Sequence, residues 1–238
     1  MDTIKLNLKN VKMIAHRGLS GIERENTCSA FVAAGNRSYF GIETDVHLTK
    51  DGQFIIIHDD DLMRIAGSNM VVEETSFEKL RGIYLSDLNG IVRHDLFLPS
   101  LNEYIAICKH YSKECVLEIK NRMEKADIER LAGVIREFEW LERTIFISFE
   151  PFNLVALRQL LPDQRIQLLA KKMSKEVFDT LSEYRFDLDI KHTGISKSDI
   201  KQLKDLGFSV NIWTVNDPEL AKTFAGYGVD FITTNILE

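Results

Sequence analysis

From residue 114 onward, short apolar runs alternate with amphipathic stretches along the chain. The runs at 116–120, 144–149, 166–170, 186–190, 209–214 and 231–234 read as strands, and helices lie between them with legible punctuation. Ser100 and Glu103 have capping-box spacing before EYIAICKHY, and Asp127 opens IERLAGVIREFEWL. Pro151 starts FNLVALRQLL and Pro162 ends it. Ser174 precedes KEVFDTLSEY, Ser196 with Asp199 opens IKQLKDL before Gly207, and Asp217-Pro218 opens ELAKTFAGYG. Strand–helix alternation with short loops implies a parallel sheet.

Two more strands lie upstream, at 13–16 and 41–46. After the second, Lys50-Asp51-Gly52 is a turn signal, and residues 53–58 read as a strand folding back antiparallel. Setting Leu48 opposite Phe54 pairs Val46 with Ile56 and Thr44 with His58, so His58 returns to the level of Glu43 and Asp45. With 53–58 as a hairpin excursion, two strands upstream and six downstream make eight, the number that closes a (β/α)8 barrel. Were 53–58 a parallel strand, there would be nine and closure would need another explanation. Residues 59–99 break the rhythm. Apart from a short helix opened by Thr75 and Glu78, they are expected to hold little regular structure. They leave from the end of the barrel that carries His58, and such an insertion is expected to cap that C-terminal face. The expected organisation is one α/β barrel domain over 1–238, with 59–99 as its insertion.

The chemistry concentrates at strand ends. Glu43 and Asp45 sit two apart in GIETDVHL, so both carboxylates point to one face of the strand. If that face is buried, two like charges cost several kcal/mol unless something positive lies between them. A divalent cation answers that need, and carboxylate oxygens are the ligands Mg²⁺ and Ca²⁺ prefer. If the strand is amphipathic, the pair faces solvent instead. Upstream, a strand ends in His16-Arg17-Gly18; downstream, Glu118 and Lys120 share a face. Each alone has a structural reading, as a satisfied histidine or an exposed ion pair. Their coincidence at strand C-termini points to a site, because α/β sheets and barrels place sites there. His47 continues the face of Glu43 and Asp45, at a pocket rim or in solvent. Phe149, Lys171 and Lys172 also follow strands, the lysines as a solvated pair.

Composition narrows the classes. The 238 residues are 45% hydrophobic and carry a net charge of −6, without a basic stripe, which argues against nucleic acid as partner. MDTIKLNLKN lacks the apolar core of a secretory signal, and no run reaches the ~18 apolar residues that a membrane span needs. Cys28, Cys108 and Cys115 have no metal-ligand spacing and read as reduced core thiols of a cytoplasmic protein.

The motifs together are more specific than any one of them. IAHRGLSGIERENTCSAFVAAG, GIETDVHLTKDGQFIIIHD, LEIK, VNIWTVNDPE and GVDFITTN, in this order, resemble the glycerophosphodiester phosphodiesterase family from Met13 to about Asn235. The resemblance implies a TIM barrel with a small insertion after the His-Asp motif. It implies His16 and His58 as the acid/base pair, and Glu43, Asp45 and Glu118 as ligands of one divalent ion, Mg²⁺ or Ca²⁺. It further implies that Arg17 and Lys120 face the phosphate and that Trp213 packs against glycerol. By its own strand, Trp213 could equally be a core residue. Two departures stand out. Arg24 replaces the family's usual proline, and the last strand runs into Asn235 where an aspartate is common, so no role of that acid carries over.

The implied reaction is hydrolysis of a small-molecule glycerophosphodiester to glycerol 3-phosphate and an alcohol. A phospholipase acting on intact lipids is the alternative; it would need an apolar rim, for which Leu96, Phe97 and Leu98 are candidates unless they dock the insertion. A non-catalytic barrel would not need all of His16, His58, Glu43, Asp45 and Glu118. An isomerase using the same carboxylates would not need two histidines beside Arg17 and Lys120.

Overall fold

The computed structural model describes residues 2–238. Eight parallel strands close on themselves: β1 (Lys12–Ala15), β2 (Gly41–Leu48), β6 (Glu114–Ile119), β7 (Thr144–Ser148), β8 (Arg165–Ala170), β9 (Asp187–Lys191), β10 (Val210–Trp213) and β11 (Phe231–Thr234), with β11 pairing back onto β1. This is the (β/α)8 barrel expected from the strand count. The remaining strand beside β2, β3 (Phe54–Ile56), is antiparallel to it, with Leu48 opposite Phe54 and Val46 opposite Ile56. That is the expected register, except that the pairing of Thr44 with His58 does not form. The strand ends at Ile56, and the Ile57 N–H instead donates to the Asp45 carbonyl at 3.0 Å.

The helices follow the sequence punctuation closely. Ser100 and Glu103 cap α4 (Leu101–His110) reciprocally, and Ser196 and Asp199 do the same for α8 (Lys197–Asp205). Pro151 and Pro218 are the first residues of α6 (Pro151–Leu160) and α9 (Pro218–Tyr227), where a missing N–H costs nothing. Ser174 caps α7 (Lys175–Tyr184). The start of α5 (Lys125–Glu137) differs from expectation. Its cap is Glu124, and Asp127 lies in the first turn, where its charge still favours the helix dipole. A helix absent from the sequence reading, α1 (Cys28–Gly35), opens at Thr27, whose hydroxyl accepts from the Ala30 N–H at 3.3 Å.

The insertion is more regular than expected. It holds α2 (Met63–Ala66), a single 3₁₀ turn at Val72–Glu74, α3 (Phe77–Arg81) and the antiparallel pair β4 (Tyr84–Ser86) and β5 (Val92–Phe97). Ser76 rather than Thr75 precedes α3; the Thr75 hydroxyl donates to the Val71 carbonyl instead. Ile55 and Ile57 form a small separate core with Leu62, Ile65, Val72, Leu80, Leu85, Leu96 and Leu98. Leu96 and Leu98 are therefore spent on docking the insertion and are not available as an apolar rim. Alternate positions of β3 and the residue after it split the labour: Phe54 and Ile56 face the barrel–helix core, and Ile55 and Ile57 the insertion.

The main core fills the space between strands and helices. A second apolar layer, with Ile14, Val116, Ile145 and Phe231, plugs the barrel interior beneath the polar end. Tyr104 ties the two carboxylate-bearing strands to α4. Its hydroxyl donates to the Ile42 carbonyl of β2 at 2.7 Å and accepts from the Val116 N–H of β6 at 3.1 Å, all without solvent contact. Tyr104→Phe removes both bonds and is expected to destabilise the fold by about 1–3 kcal/mol. Urea denaturation checks this: an unshifted midpoint would show that the two bonds contribute nothing.

Candidate active site

The parallel register of β2 and β6 sets Asp45 beside Glu118. Together with Glu43, each offers a carboxylate oxygen within 4.8 Å of the others, and all three are buried. Two cations reach in. Lys120 Nζ lies 2.7 Å from Glu118 Oε1 and 3.6 Å from Asp45 Oδ1, and Arg17 Nε lies 3.5 Å from Asp45 Oδ2. Asn26 donates to Asp45 Oδ2 at 2.7 Å, and the Arg17 backbone N–H donates to Glu43 Oε2 at 2.7 Å. That last bond needs a tight bend after β1: Arg17 has φ 53° and Gly18 φ 76°. A Cβ on Gly18 would sit 2.7 Å from the Ala30 backbone, so the glycine lets α1 approach the bend.

Three carboxyls in so small a space do not ionise alike. Burial, and then the charge of Asp45, push Glu43 well above the ordinary carboxyl range. The same two influences bring Glu118 up to about 7. Burial would raise Asp45 too, but the Arg17 and Lys120 charges outweigh it and hold that carboxyl below its usual value. The donor set is buried, all oxygen and short of positive charge, and Asp45 Oδ1 has no hydrogen-bond partner. These features fit a hard divalent cation.

The histidines stand on either side. His16 follows β1, with Nδ1 2.7 Å from Asn235 Oδ1, an oxygen that also accepts from the Ser20 hydroxyl at 3.1 Å. An amide oxygen only accepts, so Nδ1 carries the proton and Nε2 keeps its lone pair. Burial, reinforced by the Arg17 charge, brings the His16 imidazole down to about 4, so it is neutral at pH 7. His58 Nδ1 lies 2.6 Å from Asp59 Oδ1, which fixes that ring in the same sense. Both histidines, with Arg17, Glu43, Glu118 and Lys120, line a single cavity of about 480 Å³. Ile147, Phe149, Leu169 and Trp213 form its apolar wall, with the rings of Phe149 and Trp213 edge to face at 5.9 Å. Of the eight residues to which the family resemblance assigns a role, only Asp45 is absent from the lining, and it is the most deeply buried of the three acids.

Residues 16–238 match the model of the glycerophosphoryl diester phosphodiesterase family. The chain belongs to that family. Its enzyme class is that of the family, glycerophosphodiester phosphodiesterase. A Bacillus altitudinis glycerophosphodiester phosphodiesterase is 27% identical, over 94% of each chain. Among solved structures, an Oleispira antarctica phosphodiesterase in complex with the product sn-glycerol 3-phosphate superimposes with a TM-score of 0.85. It is 25% identical, and the match covers 94% of this chain and 92% of that one. A Parabacteroides distasonis glycerophosphodiester phosphodiesterase gives a TM-score of 0.80 at 28% identity, over 96% and 94%.

Within this family frame, several residues of the site escaped the sequence reading. Asn235 accepts the hydrogen bond from His16 Nδ1, although its departure from the family's aspartate seemed only to remove a role. Asp59 was legible as the second letter of the His-Asp motif, but nothing in the sequence says that it grips the neighbouring ring. Asp189 lies at the cavity floor, and burial, then the nearby Glu118 charge, raise its carboxyl well above the usual range. Lys171 and Lys172 are both exposed, as expected, and Lys171 also lines the cavity. His47 takes neither expected position. It is buried, with Nε2 3.4 Å from the His58 carbonyl. The carboxyls yield a pH prediction. Below about 7 Glu118 holds a proton that a cation must displace, so divalent affinity is expected to fall as pH is lowered from 8 to 5.5. The fall should approach tenfold per unit for each proton displaced. Titration calorimetry in buffers of differing ionisation heat checks it; pH-independent affinity without proton release would contradict the shift.

Proposed function

We propose that this enzyme hydrolyses glycerophosphodiesters to glycerol 3-phosphate and an alcohol, with His16 and His58 as a proton-transfer pair and one divalent ion held by Glu43, Asp45 and Glu118. One observation carries the reading. Two imidazoles, each with its Nδ1 proton tied to an oxygen, share a cavity with a buried three-carboxylate cluster and two cations.

Cleaving a phosphodiester requires a nucleophile to lose a proton, a leaving alkoxide to gain one, and the phosphoryl charge to be held in place. His16 is neutral and presents the Nε2 lone pair, so it takes the proton of the attacking group, either water or the substrate's own glycerol hydroxyl. His58 donates Nδ1–H to Asp59, and in its imidazolium form the second proton, on Nε2, passes to the departing alcohol oxygen and leaves the neutral ring behind. Arg17 and Lys120 bind the non-bridging phosphate oxygens. Their present ion pairs with Asp45, Glu25 and Glu118 hold both side chains towards the site. When bound, Mg²⁺ or Ca²⁺ would supply the positive charge the carboxylates lack and act as a Lewis acid on the phosphate. Trp213 and Phe149 offer an apolar face to the carbon skeleton of glycerol. The insertion, joined to the rim through the Arg24 guanidinium and the Ser86 and Asp87 carbonyls, caps this end of the barrel.

A small-molecule substrate suits a cavity of about 480 Å³ better than an intact lipid does. Among the described residues no helix is long and apolar enough to cross a membrane. The three cysteines are free thiols, in keeping with a cytoplasmic setting.

The test is release of glycerol 3-phosphate from glycerophosphocholine and glycerophosphoethanolamine. Activity is expected to vanish in EDTA and to return with Mg²⁺ or Ca²⁺; full turnover in excess chelator would remove the metal from the reading. His16→Ala and His58→Ala are each expected to lose about 10²- to 10⁴-fold in kcat. A histidine whose alanine variant keeps near-wild-type turnover has no part in proton transfer.

A further inference from the structure

Two carboxylates outside the metal cluster each hold one member of the site. Glu25, in the loop between β1 and α1, accepts from Arg17 NH1 at 2.8 Å, and Asp59, just past β3, takes His58 Nδ1 at 2.6 Å. They arrive on different loops, yet one side chain joins them. Arg64 of α2 donates NH1 to Glu25 Oε2 at 2.9 Å, NH2 to Glu25 Oε1 at 2.8 Å and Nε to Asp59 Oδ2 at 2.7 Å. The result is an unbroken chain of charged partners, Arg17–Glu25–Arg64–Asp59–His58, running from one side of the cavity to the other. Its middle link is supplied by the insertion.

From this chain we infer that Arg64 is a positioning residue. Resting on the function proposed above, it sets the phosphate-facing Arg17 and the proton carrier His58 in fixed relation to each other. The guanidinium spends its forked pair on Glu25 and its third N–H on Asp59. No other cationic side chain does this, because an ammonium has no planar fork. Each carboxylate is clamped between two donors, so neither can rotate away without breaking a charged hydrogen bond. The held pairs have opposite tasks, since Glu25 withholds Arg17 from wandering and Asp59 withholds His58 from turning its Nδ1 to water. Arg64 is itself held from below. Leu62 and Ile65, on either side of it in sequence, are buried in the small core of the insertion, and Asp61 caps the turn by accepting from the Met63 N–H at 2.8 Å. The insertion is thereby more than a cover: its core sets the angle at which Arg64 enters the rim.

A merely structural ion pair predicts something different. Arg64 is nearly half exposed, and exposed pairs contribute little to folding. Removing one should scarcely alter the melting temperature or the turnover. Positioning predicts that Arg64→Ala keeps its melting temperature within a few degrees but loses about 10- to 100-fold in kcat, the usual effect of removing a residue that orients a reacting group. KM should change less than threefold, and added guanidinium at millimolar concentration should restore part of kcat. Arg64→Lys keeps the charge without the fork and should fall between the two. The companion measurement is ¹⁵N NMR of the neutral His58 ring. Wild type should show protonated Nδ1, and Arg64→Ala a mixture with the Nε2–H tautomer.

The outcomes separate cleanly. Wild-type kcat in Arg64→Ala together with an unchanged His58 tautomer overturns the inference. A parallel loss in Arg64→Ala and Arg64→Lys that tracks a collapse of melting temperature, with no guanidinium rescue, also overturns it in favour of a folding role. If wild type releases no glycerol 3-phosphate from any glycerophosphodiester, the function proposed above fails, and the tautomer measurement still decides what Arg64 does to His58.

Discussion

Burying three carboxyl groups between two adjacent barrel strands is the constraint around which this molecule is arranged. Glu43, Asp45 and Glu118 lie where a barrel would ordinarily place apolar filling. Concentrated negative charge in a poorly solvated place is unfavourable, and the surroundings are a set of responses to it. Lys120 and Arg17 enter with their charges turned inward. The backbone bends sharply at Arg17 so that its N–H meets Glu43, and Gly18 gives α1 the room to follow. Asn26 adds a hydrogen bond to Asp45. What remains uncompensated appears in the raised Glu43 and Glu118, and a bound cation would relieve it.

The same constraint gives the two histidines their different characters. His16 lies so deep beside Arg17 that a charged ring is disfavoured, and a neutral amide, Asn235, meets its Nδ1. His58 stands nearer solvent beside a carboxylate. Residues of the same type thus acquire unlike environments from a difference in burial and in one partner atom. Below them the apolar layer inside the barrel keeps water from reaching the carboxylates from beneath, which sustains the low polarity on which these shifts depend.

Much of the architecture was legible because it depends on local rules. Serine and proline punctuation marked helix starts, since unsatisfied N–H groups at a helix end need a nearby acceptor or no hydrogen at all. The Lys50-Asp51-Gly52 turn set β3 antiparallel and made the barrel count eight. Where the reading failed, tertiary contacts were the reason. The insertion looked irregular because its short elements are held by a core that includes Ile55 and Ile57, from outside the segment, and not by strong local periodicity. His47 looked like a rim or solvent residue because alternation says which face a side chain takes but not what covers that face.

For the site, the sequence by itself determined the inventory: which acids, bases and cations are present, and that strand spacing turns Glu43 with Asp45, and Glu118 with Lys120, to common faces. Those facts follow from a two-residue period that no fold can change. Only the tertiary structure decided how they meet. It brought Glu118 beside Asp45 through register, joined Asn235 to His16 across the closure of the barrel, and carried Arg64 from the insertion to Glu25 and Asp59. Contacts between residues 73, 219 and 39 positions apart depend on how a whole barrel closes and an insertion packs, and no local pattern encodes that.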